Sequence, residues 1–382
     1  MAIPGKTALW LDLLRPACIF AIMSQSTPFH EFHLSLNAQM TDVAGWHMPL
    51  AYARGPLAEH VQCRNSGALF DLSHMGRIYL SGRDVPVFLD RVVTCNVAGQ
   101  EVGTSRQGLL CNPAGGILDE VTLCRDTRNW ILLCNAANRE KVVAYLTATR
   151  RALDLDLDIA DQTLSTAMIA MQGPKVIARL AAKLPEQVQA LTPCRFVTIS
   201  IMFIKLTVLR TSVTGEDGYL VILPAKMAGM AVKLLGGRSG ESDATIQPGG
   251  LAALDTLRLE AGIAKYGQEL TESTDPISAG LGGEVDFSKA FVGAEALRQI
   301  QQQGTRQTLV GLQLSGTEAA AAGATVLANG TPVGRITSGA LAPTIQKSIA
   351  MAYVDSPLAG VGTQLMVEAT PATVVPLPFY SR

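Results

Sequence analysis

A change of pattern near residue 307 constrains this 382-residue chain more than any single motif. Beyond it, the stretches 309–314, 324–327, 333–339 and 365–368 are short, β-rich and separated by glycine turns. Short strands at close spacing, with no helical period between them, predict a small all-β domain of barrel or jelly-roll type. Ahead of it the signals mix. Residues 84–93 place Val85, Phe88, Leu89 and Val92 on one face of a helix. Residues 77–82 read as a strand, as do 119–123 and 130–134 around a polar Arg-Asp-Thr-Arg-Asn turn. Residues 138–150 read as a helix, the β-branched run 197–210 as strands and 218–224 as another strand. Residues 248–262, opened by Pro-Gly-Gly and closed by Gly, read as a helix. Mixed elements early and pure β late define an α+β protein. The length exceeds one ordinary domain, and we expect two intertwined α+β domains over 23–290 and a C-terminal β domain over 291–382.

Charge and cysteine usage narrow the function classes. Lys+Arg number 31 and Asp+Glu 32, a formal net charge of -1. Such a balance offers no global field for nucleic acid or an anionic membrane, and no stretch reaches the ~18–20 apolar residues of a membrane span. Neither partner is expected, and a cytoplasmic setting is (mitochondrial in a eukaryote). The seven cysteines are odd in number and contain no C-x-x-C pair, which argues for a reducing compartment rather than a disulfide framework. The five histidines all fall within residues 30–74, none spaced with a carboxylate as metal ligands are, so no metal is expected. Residues 1–22 lack the parts of a secretory signal, and Met23 opens a segment that reads as a natural start. An extension or a mis-assigned start codon is the expectation there.

Short motifs in a fixed order carry the chemistry. They include Ala44-Gly45-Trp46-His47-Met48-Pro49, Phe70-Asp71-Leu72-Ser73-His74-Met75-Gly76 and Gly115-Gly116-Ile117-Leu118-Asp119-Glu120. Then come Gln172-Gly173-Pro174, Thr214-Gly215-Glu216-Asp217-Gly218 and Asp255-Thr256-Leu257-Arg258-Leu259-Glu260-Ala261-Gly262. Tyr266-Gly267, Thr337-Ser338-Gly339 and Pro378-Phe379-Tyr380 complete the set. Together they resemble the aminomethyltransferase family, the T-proteins of the glycine cleavage system, from about residue 27 to 380. The resemblance implies a three-domain cloverleaf around a central folate-type hole. It also implies a reaction: a one-carbon unit passes from the aminomethyl-lipoyl arm of lipoylated H-protein to tetrahydrofolate, and ammonia leaves. Tetrahydrofolate is a substrate in that scheme, and H-protein the partner.

The reaction sets physical demands. A pterin edge with adjacent N–H donors suits a buried carboxylate, its flat faces need apolar or aromatic walls, and the attacking amine needs an acid or base nearby. The resemblance puts the acid/base carboxylate at Glu120, one methylene longer than the family's Asp, with Asp119 beside it as the second catalytic candidate. Met75, Asn135 and Tyr266 are the candidates for binding the folate. Four positions depart from the family pattern: Leu220 stands where a Glu holds the pterin, Leu254 where an Arg precedes the helix motif, Val213 for a Tyr and Gly283 for a Trp. Glu216 and Arg258 read as structural, and His74 as a satisfied core histidine. The departures leave two alternatives on the same fold: a demethylase acting on another small molecule, or a non-catalytic binding protein.

Overall fold

The strands expected after residue 307 close on themselves. In the computed structural model, which describes residues 24–181, 184–201, 204–235 and 245–382, they form a six-stranded barrel. Its order is Gln307–Leu314, Lys347–Asp355, Thr331–Ala342, Thr325–Ala328, Gln364–Val367, Thr370–Val375. All its pairings are antiparallel. Period-two alternation sends Val310, Leu312 and Leu314 inward to meet Val354, Val367 and Val374 in one core, and closure leaves no free strand edge. The extension expected over residues 1–22 lies outside the described residues. No helix among the described residues is long and apolar enough to cross a membrane.

Ahead of the barrel lie two antiparallel-rich sheets. The five-stranded sheet runs Thr104–Cys111, Ile117–Arg125, Trp130–Cys134, Gly76–Ser81, Asp158–Asp161. Helices Val85–Val92 and Arg139–Leu153 cover one of its faces. The four apolar residues predicted to share a helix face are each 1% exposed or less, and burying side chains of that size contributes roughly 1.5–3 kcal/mol apiece. The six-stranded sheet runs Phe196–Ile201, Ile204–Arg210, Gly218–Pro224, Thr166–Gln172, Ala68–Asp71, Gln247–Pro248. Its first two strands are the β-branched run, folded as a hairpin. Strand Thr166–Gln172 is buried on both faces. Ile169 and Met171 pack with Val176 and Leu180 of the helix Val176–Ala181. Met168 and Ala170 pack with Ile131 and Leu133 of the five-stranded sheet. The two sheets therefore face each other. A smaller three-stranded sheet, Gln25–Ser26, Trp46–Ala51, Gln39–Val43, precedes them in the chain.

Helix Leu251–Glu260 joins all three bodies. It starts later than the expected 248–262 because Pro248 pairs with Leu69 as a strand residue. Gly250 cannot carry a side chain there: a Cβ would lie 2.2 Å from the Leu50 carbonyl oxygen. Ala253 and Leu257 pack between the sheets, while Leu259 packs against barrel residues Ile349 and Met351. At its end, buried Glu260 accepts hydrogen bonds from Arg64 Nη2 (3.0 Å), Thr344 Oγ1 (2.6 Å) and the Thr344 backbone N–H (2.9 Å), and its Oε2 lies 3.1 Å from His60 Nε2. The C-terminal segment returns from the barrel to this joint. The Tyr380 N–H donates to the Glu260 carbonyl (2.9 Å), the Arg64 guanidinium lies 4.4 Å from the Tyr380 ring centre, and Arg382 pairs with Glu216 at 3.0 Å. Glu216 also pairs with Arg64 at 3.1 Å, which gives it the structural place expected of it.

Candidate active site

The Gly115-Gly116 turn aims the strand that follows it. Gly115 has φ +85°, and a Cβ on Gly116 would sit 1.9 Å from the Glu272 carbonyl oxygen, so neither position takes a side chain without movement. Asn112 ties the turn together: its Oδ1 accepts from the Ala114 and Gly116 N–H groups at 2.9 and 3.0 Å, and its Nδ2 donates to the Glu272 carbonyl at 3.0 Å. Strand Ile117–Arg125 then alternates. Asp119, Val121 and Leu123 turn to the helix-covered face, whereas Glu120 and Thr122 turn to a cavity of about 950 Å³.

Both sheets, helix Leu251–Glu260, the barrel and the C-terminal segment line that cavity, contributing among others Thr122, Leu220, Leu254, Met351 and Leu377. Glu120, Met75, Asn135 and Tyr266, four of the five site residues expected from the sequence, meet there. Burial, and after it the charges of Asp119 and Glu284, push the Glu120 carboxyl up to about 7. No ion pair to Glu120 is found among the described residues. It can therefore hold or release a proton near neutrality.

Asp119 is absent from the cavity wall. It is fully buried and accepts hydrogen bonds from the Asn135 backbone N–H (2.9 Å), Asn135 Nδ2 (2.8 Å) and Asn138 Nδ2 (2.8 Å). The adjacent carboxylates thus part company, one facing the cavity and the other the fold. Tyr266 receives a hydrogen bond from Lys141 Nζ at 2.9 Å, and the same ammonium pairs with Glu272 at 2.7 Å. Met75 packs at the edge of the apolar cluster that holds Leu220 and Leu254.

His74 departs from expectation. Rather than a satisfied core residue, it lines the cavity with Nδ1 buried and unpartnered. Burial lowers it to about 4, so the ring is neutral near pH 7. The charge of Asp71 opposes this shift without cancelling it, and Arg77 and Lys265 add to it, a balance that the sequence alone does not reveal. Thr122 was also missed, although the period of two counted from Glu120 points to it. Gln107 follows by register, since it pairs with Thr122 across the strands.

Three of the four departures from the family pattern, Val213, Leu220 and Leu254, line the cavity. A Cβ on the fourth, Gly283, would meet no atom within 4 Å. Arg258 reaches the wall yet is tied into the fold, with Glu269 at 2.8 Å, Asp255 at 3.0 Å and Ser338 Oγ at 2.8 Å.

Two sheets and a barrel set around one shared cavity are the plan of this chain, and known proteins share its fold. Residues 29–289 match the GCVT N-terminal domain and residues 307–381 the glycine cleavage T-protein C-terminal barrel domain. The aminomethyltransferase of Rubrobacter xylanophilus is 38% identical over 361 residues, covering 93% of this chain and 94% of its own length. That of Cutibacterium acnes is 39% identical over 371 residues, covering 93% and 98%. The crystal structure of glycine cleavage system aminomethyltransferase T from Bartonella henselae superposes with a TM-score of 0.86 at 32% identity, over 94% of this chain and 98% of that one. The chain belongs to the glycine cleavage T-protein family of aminomethyltransferases, and it is a transferase.

Proposed function

We propose that the chain transfers the one-carbon unit of an aminomethyl-lipoyl group, carried by H-protein, to tetrahydrofolate with release of ammonia. The observation that carries this reading is the meeting of Glu120, Met75, Asn135 and Tyr266 on one cavity of about 950 Å³. A cavity of that size suits a cofactor-sized ligand. Tetrahydrofolate would supply the amine that accepts the carbon. The protein's share is positioning and proton handling. Glu120, held near neutrality by burial, would take or return the proton of the reacting amine. Met75, Leu220 and Leu254 would wall the ring, and the surrounding side chains would exclude water. The bacterial relatives support a cytoplasmic setting.

The fit is good at Glu120 and poorer at the inner wall. Leu220 and Leu254 accept no hydrogen bond, and each buried pterin donor left unpaired there costs about 1–3 kcal/mol. Weak folate affinity follows. Calorimetric titration with tetrahydrofolate, together with an assay of methylenetetrahydrofolate formed from aminomethylated H-protein, tests the proposal. Measurable binding with product supports it, whereas silence in both at millimolar ligand removes it.

A further inference from the structure

Asp119 touches no part of the cavity, yet it holds a residue that does. Its carboxylate can only accept hydrogen bonds, and three donors converge on it: the Asn135 N–H, Asn135 Nδ2 and Asn138 Nδ2, at 2.9, 2.8 and 2.8 Å. Asn135 Nδ2 also reaches the Glu120 carbonyl at 3.5 Å. The nitrogen end of the Asn135 amide therefore faces the strand. Asn135 itself lines the cavity beside Glu120, and the end left for a ligand is the acceptor Oδ1.

We propose that Asp119 is a positioning residue that locks the Asn135 amide with Oδ1 toward the cavity, so that Asn135 and Glu120 present two neighbouring acceptors to an N–H group of the ligand. The ligand class this selects is an amine or amide that donates there, and a ligand offering a carbonyl at that point is disfavoured. Asp119 acts only through Asn135. The two side-chain amides meet at its Oδ1 and the Asn135 backbone N–H at its Oδ2, so replacing Asp119 by Asn keeps the shape but leaves a single acceptor oxygen and sets an amide nitrogen against one of these donors, which loosens the hold on Asn135.

The inference rests on this cavity being the ligand site, and the experiment separates the two ideas. Tetrahydrofolate affinity is measured calorimetrically for wild type, Asp119→Asn, Asn135→Leu and the double variant. One correctly aimed hydrogen bond is worth about tenfold in affinity. Asp119→Asn is expected to weaken binding by about that factor and raise KM more than it lowers kcat. The double variant is expected to bind no worse than Asn135→Leu alone, because residues acting through one another are not additive. Wild-type affinity in Asp119→Asn, or full additivity in the double variant, overturns the inference while leaving the proposed reaction intact. Failure of wild type to bind tetrahydrofolate removes the reaction instead. A ligand-free arm then decides the orientation. Asn135→Asp, which opposes two carboxylates, is expected to melt below wild type, and Asp119→Asn/Asn135→Asp, which restores a donor and an acceptor, is expected to recover most of the loss. No recovery overturns the orientation whatever the ligand is.

Discussion

Replacing Glu120 with Gln removes a charge and changes the shape of the cavity wall little. In the wild type the carboxyl is raised from 4.5 to about 7, first by burial and then by the charges of Asp119 and Glu284. A displacement of that size corresponds to roughly 3 kcal/mol against the ionised form. The folded chain keeps this proton over a pH range in which the unfolded chain has released it, so the contribution to stability is full below 4.5 and is lost as pH rises through about 7. Gln does not titrate. The two proteins should therefore melt together near about pH 5, and Glu120→Gln should melt higher by roughly 5 °C near about pH 8, as a difference of that energy implies. Transfer activity should fall by about 10²–10⁴-fold, the usual contribution of a general acid or base. Scanning calorimetry across the pH range supplies the stability comparison. A melting gap that does not vary with pH, or one that favours the wild type at high pH, refutes the placement of Glu120 in an apolar, like-charged site.

Other perturbations follow from contacts described above. Gly116→Ala drives a methyl to within 1.9 Å of the Glu272 carbonyl and should destabilise by more than about 4 kcal/mol, so a variant melting with the wild type contradicts the close approach. Burial opposes the charge of Glu260, but hydrogen bonds from His60 and Thr344 bring it down to about 2. The stability it supplies is present above 4.5 and lost as pH falls through about 2. Glu260→Gln should thus cost about 3–5 kcal/mol near neutrality and progressively less in acid, as denaturant titrations at several pH values can show. Leu220→Glu should destabilise by burying an unpaired carboxylate. Adding Leu254→Arg should restore stability and raise tetrahydrofolate affinity, and a double variant melting no higher than the single one refutes the pairing.

Much of this is legible in the amino-acid sequence, for reasons that differ by element. The barrel strands alternate, and alternation is local. The helix over Val85–Val92 carries its apolar face in four residues, all of which are buried. Glu120 follows from a motif, whereas its separation from Asp119 onto opposite faces of the strand was not expected from the sequence. What stayed hidden depends on residues far apart in the chain. Glu59 accepts from the Tyr52 N–H at 2.6 Å and from the Gly250 N–H at 2.7 Å, a junction whose second half lies 191 residues away. The neutral state of His74 and its unpartnered Nδ1 arise from packing around it. The place of Asp119 in the fold became clear only once Asn138 was seen to reach back to it.

The last residues of the chain complete a wall whose other parts were synthesised long before. Met75, Glu120 and Tyr266 leave the ribosome well ahead of Leu377, and Tyr380 and Arg382 fasten that wall to Arg64, Glu260 and Glu216 only at the end. The cavity wall at Leu377 therefore depends on contacts that Tyr380 and Arg382 make with residues far earlier in the chain.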